Sequence, residues 1–182
     1  GAFAECKELK KLVIPGSVKI IELEILCASG IEELIVENGV EIISEYAFFE
    51  CPKLRYVSLP ESLKEFGRYG AVFVDCPELV RVDVDKDNEY YYSNGQVLVD
   101  KRTKTIIDGW GTEICNAADF PKELLPTRIG NNAFRKHSLL RYVILPATIE
   151  SVGDGAFSAC KSLRQLNCHA VVPPVLGKDV FK

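Results

Sequence analysis

A phrase that recurs along the chain constrains its fold more than any other feature of the sequence. "GDGAFSACKSLRQL" at 153–166 returns as "EYAFFECPKLRYV" at 45–57, and a shorter copy, "AFAECKELKKL", lies at 2–12. Such recurrence is typical of architectures in which each copy is one structural unit stacked on the next. The copies follow each other at 22 to 25 residues, except for one step of 61 residues between Phe73 and Phe134.

Each copy carries small or apolar residues at the same positions, counted from the Phe of the phrase as zero. Position zero is held by Phe3, Ile25, Phe48, Phe73, Phe134, Phe157 and Phe181. Position +3 is held by Cys6, Ala28, Cys51, Cys76, His137 and Cys160. Leu, Ile or Val fills +6, +9 and +11 in every copy, with Cys168 the one exception at +11. These stripes predict the inward face of a coil whose turns stack on each other.

The end of each copy alternates in the manner of a β-strand. Positions +9 and +11 are spaced by two, so both side chains point to one face. A Pro follows in three copies (Pro15, Pro60 and Pro146) and ends the strand, because it donates no ladder hydrogen bond. A second apolar pair, such as Val18 and Ile21, follows at a spacing of three on the opposite wall. The pattern predicts a solenoid of turns of about 23 residues with a parallel β-sheet along one wall.

The segment "IGNNAFRKHSLLRYVILPATIESVGDGAFSACKSLRQL" resembles the leucine-rich repeats of the BspA-like class. "AVVPPVLGKDVF" at 170–181 is similar to the Pro-Pro phrase that often precedes the last unit in this family. The resemblance covers nearly the whole chain and implies a leucine-rich-repeat solenoid. It implies a right-handed coil with a parallel β-sheet on the concave face and short 3₁₀ or extended segments on the convex side.

We expect one leucine-rich repeat domain over 1–182, with repeats at 1–84 and 119–182. A chain without Met that opens inside a repeat is expected to be a fragment of a longer protein. Within the long step, "GQVLVD" and "KTIID" are β-rich runs joined by a polar turn, which predicts an inserted β-hairpin at about 88–112. We expect this hairpin to pack along the edge or the convex side of the coil. Its aromatic residues, Tyr90, Tyr91, Tyr92 and Trp110, are expected to pack it there; a contribution to binding is the alternative.

Charge and hydropathy exclude several classes of function. The net charge of −4 argues against a general affinity for nucleic-acid phosphates or anionic membranes, both of which need a basic surface. The chain has no apolar run of the roughly 18 to 20 residues that a membrane-spanning helix needs. We therefore expect no nucleic-acid partner and no direct membrane insertion of this segment.

Positions +8 and +10 of each strand should point outward onto the concave wall, where solenoids bind their partners. This stripe mixes exposed Val, Ile and Tyr with charges of both signs, which favours a protein partner. Strand propensity alone is the alternative explanation for the Val and Ile residues. The predicted binding residues are Lys11, Val13, Glu33, Ile35, Tyr56, Ser58, Arg81, Asp83, Tyr142, Ile144, Gln165 and Asn167.

Other candidate chemistry is weak, and we expect no catalytic residue, metal or cofactor. "DVDKDNE" at 83–89 is similar to a calcium loop, but Asn88 stands where that loop needs Gly, so a solvated acidic turn is favoured. His137 occupies the +3 slot and is expected to be a core or rim residue, and His169 follows Cys168 on a strand, where neighbours point to opposite faces.

The cysteines of the stripes are expected to be buried, reduced and unreactive: Cys6, Cys51, Cys76, Cys160 and Cys168. Cys27 and Cys115 lie off the stripes, and the pattern does not place them.

The resemblance implies a non-enzymatic protein-binding or adhesion module on a bacterial surface or in a secreted protein. The partner would be a host or neighbouring-cell protein. The alternative hypothesis is a structural spacer of a larger surface protein that has no ligand of its own.

Overall fold

The repeats wind into a β-solenoid of about seven turns with parallel sheets on two walls. The structure is a computed structural model, which describes residues 1–67, 72–114 and 120–182. Helical structure within these ranges is limited to a 3₁₀ turn at Lys122–Leu124. The strands of the first wall, numbered in chain order, are β1 (Lys11–Ile14), β3 (Glu33–Val36), β5 (Tyr56–Leu59), β7 (Arg81–Val84), β11 (Glu113–Ile114), β13 (Tyr142–Leu145) and β15 (Gln165–Cys168).

The second wall is built from two-residue strands, which contain the second member of each predicted apolar pair. They are β2 (Ile20–Ile21), β4 (Ile42–Ile43), β6 (Glu65–Phe66), β12 (Arg128–Ile129), β14 (Ser151–Val152) and β16 (Val175–Leu176). Ile21, Ile43 and Val152 are buried there, as the spacing predicts. These segments are extended and pair in parallel between successive turns, β2 with β4 and β4 with β6.

In the described residues, backbone positions with positive φ recur at −2 and +2 around position zero and bend the turns. Residues at +2 include Glu50 (φ 52°), Asp75 (φ 58°) and Ala159 (φ 57°). The left-handed conformation costs a non-Gly residue about 1 kcal/mol or more, so the stacking of neighbouring turns must hold it in place.

The same bends correct the predicted alignment of the second turn. Glu24 and Ala28 carry its positive φ values, so Leu26 and not Ile25 occupies position zero. Leu26 is fully buried, and Ser29, not Ala28, takes the +3 slot, where it is 1% exposed. The sequence alignment was wrong by one residue here. This turn has one residue fewer than the others between position zero and the inward Ile31, and it lacks the Phe that marks position zero. Cys27 therefore lies at +1, between the two slots.

Aromatic rings and thiols form two ladders along the inside of the coil. The rings of Phe134 and Phe157 stack at 5.0 Å, and those of Phe157 and Phe181 stack at 5.8 Å. In the +3 slot, each buried thiol donates to the carbonyl of position zero in the preceding turn. The distances are 3.1 Å from Cys51 to Leu26, 3.0 Å from Cys76 to Phe48 and 2.8 Å from Cys160 to Phe134. A small side chain with a weak donor fits this slot because it packs and also satisfies a buried carbonyl.

The predicted hairpin is present, and its strands continue the sheet of the second wall, opposite the outward strands of the first wall, rather than lying along an edge of the coil. Strands β9 (Val97–Asp100) and β10 (Thr105–Gly109) pair in antiparallel fashion, β8 (Tyr91–Ser93) pairs with β9, and β10 continues the second wall by pairing with β12. Alternate side chains of β9 enter different cores, Leu98 the core of the preceding turns and Val99 the core of the following ones. The hairpin is thus a partition between two hydrophobic cores, so β9 is apolar on both faces.

Asn88, Tyr91 and Trp110 attach the hairpin to the preceding turns. Asn88 is 1% exposed and donates from Nδ2 to the carbonyls of Pro60 (2.9 Å) and Leu63 (3.0 Å). Tyr91 donates its hydroxyl to the carbonyl of Lys64 at 3.1 Å, and Trp110 packs edge-on against Phe73 with a centroid distance of 6.1 Å. Tyr91 and Trp110 are therefore packing residues, as expected.

Candidate protein-binding surface

The outward side chains of the first wall form rows that run along the solenoid, which we call the outer face. Parallel pairing in register aligns Lys11, Glu33, Tyr56 and Arg81 in one row, and Val13, Ile35, Ser58 and Asp83 in the next. Tyr142 lies beside Gln165, and Ile144 lies beside Asn167. All twelve predicted residues are exposed or half-buried, while their strand neighbours Leu34, Val57 and Val143 are buried. The structure therefore brings the predicted residues together on one face, in two groups.

Charged side chains on the first group pair with each other. Lys11 Nζ lies 3.0 Å from Glu33 Oε1, and Arg81 Nε donates to both carboxylate oxygens of Asp83 at 2.9 Å. The hydrogen bond to Asp83 raises the pKa of Arg81 above its ordinary value. Exposed ion pairs of this kind contribute less than about 1 kcal/mol to stability, so these residues remain available to a partner.

The outer face is split between β7 and β11. β7 ends the first sheet (β1-β3-β5-β7), and β11 begins the second (β11-β13-β15). An open groove of about 540 Å³ lies at the split and is lined by Pro77, Leu79, Val80, Trp110, Glu113 and Leu139 among others. Glu113 pairs in register with Tyr142, so it belongs to the outer face. The sequence pattern missed Glu113 because β11 lies outside any recognisable copy of the repeat.

The repeat geometry and the comparison with known families agree. A sequence profile of the BspA type leucine rich repeat region matches residues 1–95 and 116–181 in six copies. The chain belongs to the BspA-type leucine-rich repeat family. Proteins of this repeat class generally act in protein interactions and are typically non-enzymatic.

Solved structures of bacterial leucine-rich repeat proteins are similar to this BspA-type chain. The pneumococcal vaccine antigen PcpA has a TM-score of 0.71 at 26% identity, over 88% of this chain and 39% of PcpA. A leucine-rich cell surface protein of Faecalibacterium prausnitzii has a TM-score of 0.65 at 23% identity, over 91% of this chain and 43% of its own. A leucine-rich repeat protein of Bacteroides ovatus has a TM-score of 0.52 at 19% identity, over 99% of this chain and 54% of its own. The last two comparisons support the fold alone.

The BspA-type chain spans less than half the length of the first two of these proteins. None of the curated proteins is similar enough in sequence to count as a relative. Within the described ranges, no helix is long and apolar enough to cross a membrane.

The acidic residues of "DVDKDNE" do not converge on one point. Asp83 engages Arg81, Asp85 Oδ1 accepts the backbone N–H of Asp87 at 2.9 Å, and Lys86 pairs with Asp87 at 3.0 Å. In the described part of the chain, no three His, Cys, Asp or Glu side chains form a group that would hold a metal ion. Asn88, which stands at the Gly position of a calcium loop, instead attaches the hairpin.

A buried polar cluster lies where the two cores meet. His137 is in the +3 slot, as predicted, and its Nε2 lies 3.8 Å from Oδ1 of Asp108, which β10 contributes. Asp108 Oδ1 accepts the N–H of Gly109 at 2.8 Å, whereas Oδ2 is buried without a hydrogen-bond partner. Burial raises the pKa of Asp108 to about 8 and lowers the pKa of His137 to about 4. Burial thus disfavours the charged form of each group, and 3.8 Å is too long for a hydrogen bond between them.

The cysteines divide into buried and accessible groups, which corrects part of the prediction. Cys51 and Cys76 are buried, but Cys6 and Cys168 are exposed, because they lie in the first and last turns and each lacks a neighbouring turn on one side. Cys160 is partly buried, and burial raises the pKa of its thiol to about 11. The five expected stripe cysteines are all free thiols, as is Cys27. Cys115 lies outside the described residues.

We expect a thiol reagent to separate these groups in the native protein. Cys6 and Cys168 should react within minutes at pH 8, whereas Cys51 and Cys76 should react at least about tenfold more slowly, since both thiols are buried out of reach of the reagent and burial raises the pKa of Cys76 well above its ordinary value. Peptide mapping by mass spectrometry after timed labelling gives the rate at each site, and labelling in urea provides the fully reactive control. Equal rates at Cys6 and Cys76 would contradict the assignment of the buried ladder.

Proposed function

We propose that this chain is a non-enzymatic protein-binding and adhesion module of a bacterial surface or secreted protein. The observation that carries the proposal is the outer face, on which twelve outward side chains are aligned by strand register over six strands. Tyr142 is 39% exposed and Val13 is 42% exposed, and a wall with exposed aromatic and aliphatic side chains gains free energy by covering them. We infer that this face is the concave one.

The family and the fold support a role in protein interactions, without indicating the partner. The chain belongs to a class of repeat proteins that generally mediate protein interactions, and a similar structure at 26% identity is that of a pneumococcal vaccine antigen. We further propose that 1–182 is a single domain of a longer protein, located outside the cell or on its surface. The alternative is a structural spacer without a ligand of its own.

A triple variant tests the outer face. Tyr56→Ala, Tyr142→Ala and Ile144→Ser together should weaken binding to the cognate surface protein at least about tenfold, because aromatic residues dominate the energetics of such interfaces. Binding of the purified domain to host matrix proteins and to bacterial surface preparations would be measured by surface plasmon resonance.

The matched control places equivalent changes outside the outer face. Ile20, on the second wall, and Leu23 are both exposed, so Ile20→Ser with Leu23→Ala should leave binding within about twofold. Both variants should keep the wild-type melting temperature within a few degrees. Saturable binding that survives the triple variant would move the site elsewhere, and an absence of saturable binding in the wild type would favour the spacer.

A further inference from the structure

Charge is divided unevenly between the two ends of the solenoid. Residues 1–67 contain seven Lys and Arg against twelve Asp and Glu, whereas residues 120–182 contain nine Lys and Arg against four Asp and Glu. The first segment thus has a net charge of −5 and the second a net charge of +5, although the whole chain has −4. An acidic partner is therefore attracted to the second segment and repelled by the first.

Two cations in the acidic half, Lys11 and Lys64, are paired with carboxylates of the adjacent turn. Lys11 pairs with Glu33 at 3.0 Å, and Lys64 pairs with Glu41 at 2.8 Å. Arg55 stands directly before β5, and Glu32 holds the same position before β3, with Arg55 N–H bonded to Glu32 C=O at 2.9 Å. Opposite charges therefore alternate from turn to turn, which is the favourable arrangement across neighbouring strands.

The basic half has the opposite arrangement. Arg141 and Arg164 stand directly before β13 and β15, and Arg164 N–H donates to Arg141 C=O at 2.9 Å, so one arginine lies above the other in adjacent turns. Both are exposed. Among the described residues, the ion pairs that involve 120–182 join Lys136 to Asp75 and Lys182 to Asp179, and neither Arg141 nor Arg164 takes part. Like charges at the ~4.8 Å spacing of neighbouring strands repel each other, and nothing in the described chain relieves this repulsion.

Apolar and amide side chains adjoin this arginine pair. Tyr142 follows Arg141 directly, and Leu139, two residues earlier, is 42% exposed. Gln165 and Asn167, which follow Arg164, offer amide groups that bond to each other at 3.1 Å. A polymer of phosphate or sulfate groups would use the arginines but leave Tyr142 and Leu139 uncovered. A peptide that carries both carboxylates and apolar side chains would satisfy the whole patch.

We propose that the exposed surface at the start of β13 and β15, where Arg141 and Arg164 border the outer face, recognises an acidic segment of a protein partner, with aromatic or aliphatic side chains between its carboxylates. This inference rests on the proposed function, since it specifies the chemistry of the partner that the same face binds. The planar guanidinium groups of Arg141 and Arg164 match carboxylates in two-point hydrogen bonds, which ammonium groups do not provide. The positive half also steers an acidic partner toward this end of the outer face.

The test uses synthetic fluorescent peptides of about 16 residues in which Glu alternates with Leu and Tyr. Matched peptides replace every Glu by Gln or by Lys, and polyphosphate of equal charge is the non-protein probe. Fluorescence anisotropy should show that the Glu peptide binds at least about tenfold more tightly than the Gln peptide, with an affinity that falls from about 50 to 200 mM salt.

Single variants at one structural position then localise the binding. Arg141→Ser should weaken binding of the Glu peptide about tenfold, and Arg141→Ser with Arg164→Ser should weaken it further. Lys10→Ser, at the equivalent position before β1 in the acidic half and exposed, should change it by less than about twofold. Tyr142→Ala should weaken binding of the Glu peptide but leave binding of polyphosphate unchanged.

Three results would overturn the inference: equal binding of the Glu and Gln peptides, equal effects of Lys10→Ser and Arg141→Ser, or binding of polyphosphate as tight as that of the Glu peptide. The last result would identify an anionic polymer as the ligand. If binding to the cognate surface protein is lost in the triple variant but retained when Arg141 and Arg164 are replaced, the proposed function stands and this inference fails.

Discussion

Trp110→Ala is expected to lower the free energy of unfolding by about 3–5 kcal/mol, the cost of deleting a large buried aromatic side chain. Trp110 is 1% exposed, lies edge-on to Phe73 and donates its indole N–H to the carbonyl of Gly95. It connects the hairpin to the core of the preceding turns. Its loss leaves a cavity and an unpaired carbonyl at the junction of the two cores.

Urea unfolding followed by circular dichroism measures this effect, because the variant lacks the single tryptophan of the chain and has no indole fluorescence. Trp110→Phe keeps most of the volume and should cost only about 1–2 kcal/mol. Leu139→Ala, at an exposed position of the nearby groove, should cost less than about 0.5 kcal/mol. A loss below about 1 kcal/mol for Trp110→Ala would show that the hairpin is not packed as the structure has it.

Asp108→Asn is expected to stabilise the protein, by an amount that grows with pH. The pKa of Asp108 rises from an unfolded value of 3.8 to about 8, so the folded protein takes up a proton that the unfolded chain lacks between these values. Stability is therefore lost as pH rises from about 4 to 8. The isosteric amide removes this loss, and the expected gain is of the order of 4 kcal/mol at pH 8 and close to zero at pH 4.

His137 makes the free energy of unfolding depend on pH in the opposite direction. Its pKa falls from 6.5 to about 4, so stability is lost as pH falls through this range. In the wild type the effects of Asp108 and His137 on the free energy of unfolding cancel between about pH 4 and 6.5. Between about pH 6.5 and 8 only Asp108 acts, and the free energy of unfolding falls as pH rises. The variant should instead gain stability from pH 4 to 6.5 and then level off, which urea unfolding at a series of pH values would show.

Asp87→Asn is the matched control, because it makes the same chemical change at an exposed carboxylate that pairs with Lys86 at 3.0 Å and lies away from His137. This control should lower the free energy of unfolding by less than about 1 kcal/mol, and the dependence of that free energy on pH should remain that of the wild type. A destabilised Asp108→Asn variant at pH 8 would mean that the carboxylate is ionised and that His137 is its charged partner.

Local spacing made most of the fold and the outer face predictable. The strands at +8 to +11, the Pro that ends them and the apolar pairs of the second wall depend on contacts at fixed separations, and the structure has them where the pattern places them. Outward positions such as Tyr56 and Tyr142 follow from the same alternation, since successive side chains of a strand point to opposite faces. The second turn misled the alignment because Leu26 replaces the Phe that marks position zero.

Tertiary structure decided the features in which distant segments meet. Alternating apolar side chains predicted the hairpin, but only the packing of Leu98 and Val99 into different cores makes it a partition between them. The +3 pattern includes Cys6 together with Cys51, yet exposure depends on whether a turn stacks on either side.

The sequence by itself determined the period, the inward stripes and the strands of this protein, because each of these follows from residues a few positions apart. The tertiary structure decided the split of the outer face, the burial of Asp108 beside His137 and the stacking of Arg141 beneath Arg164. Those features depend on which residue of one turn lies next to which residue of another, and on how much water the neighbouring segments exclude.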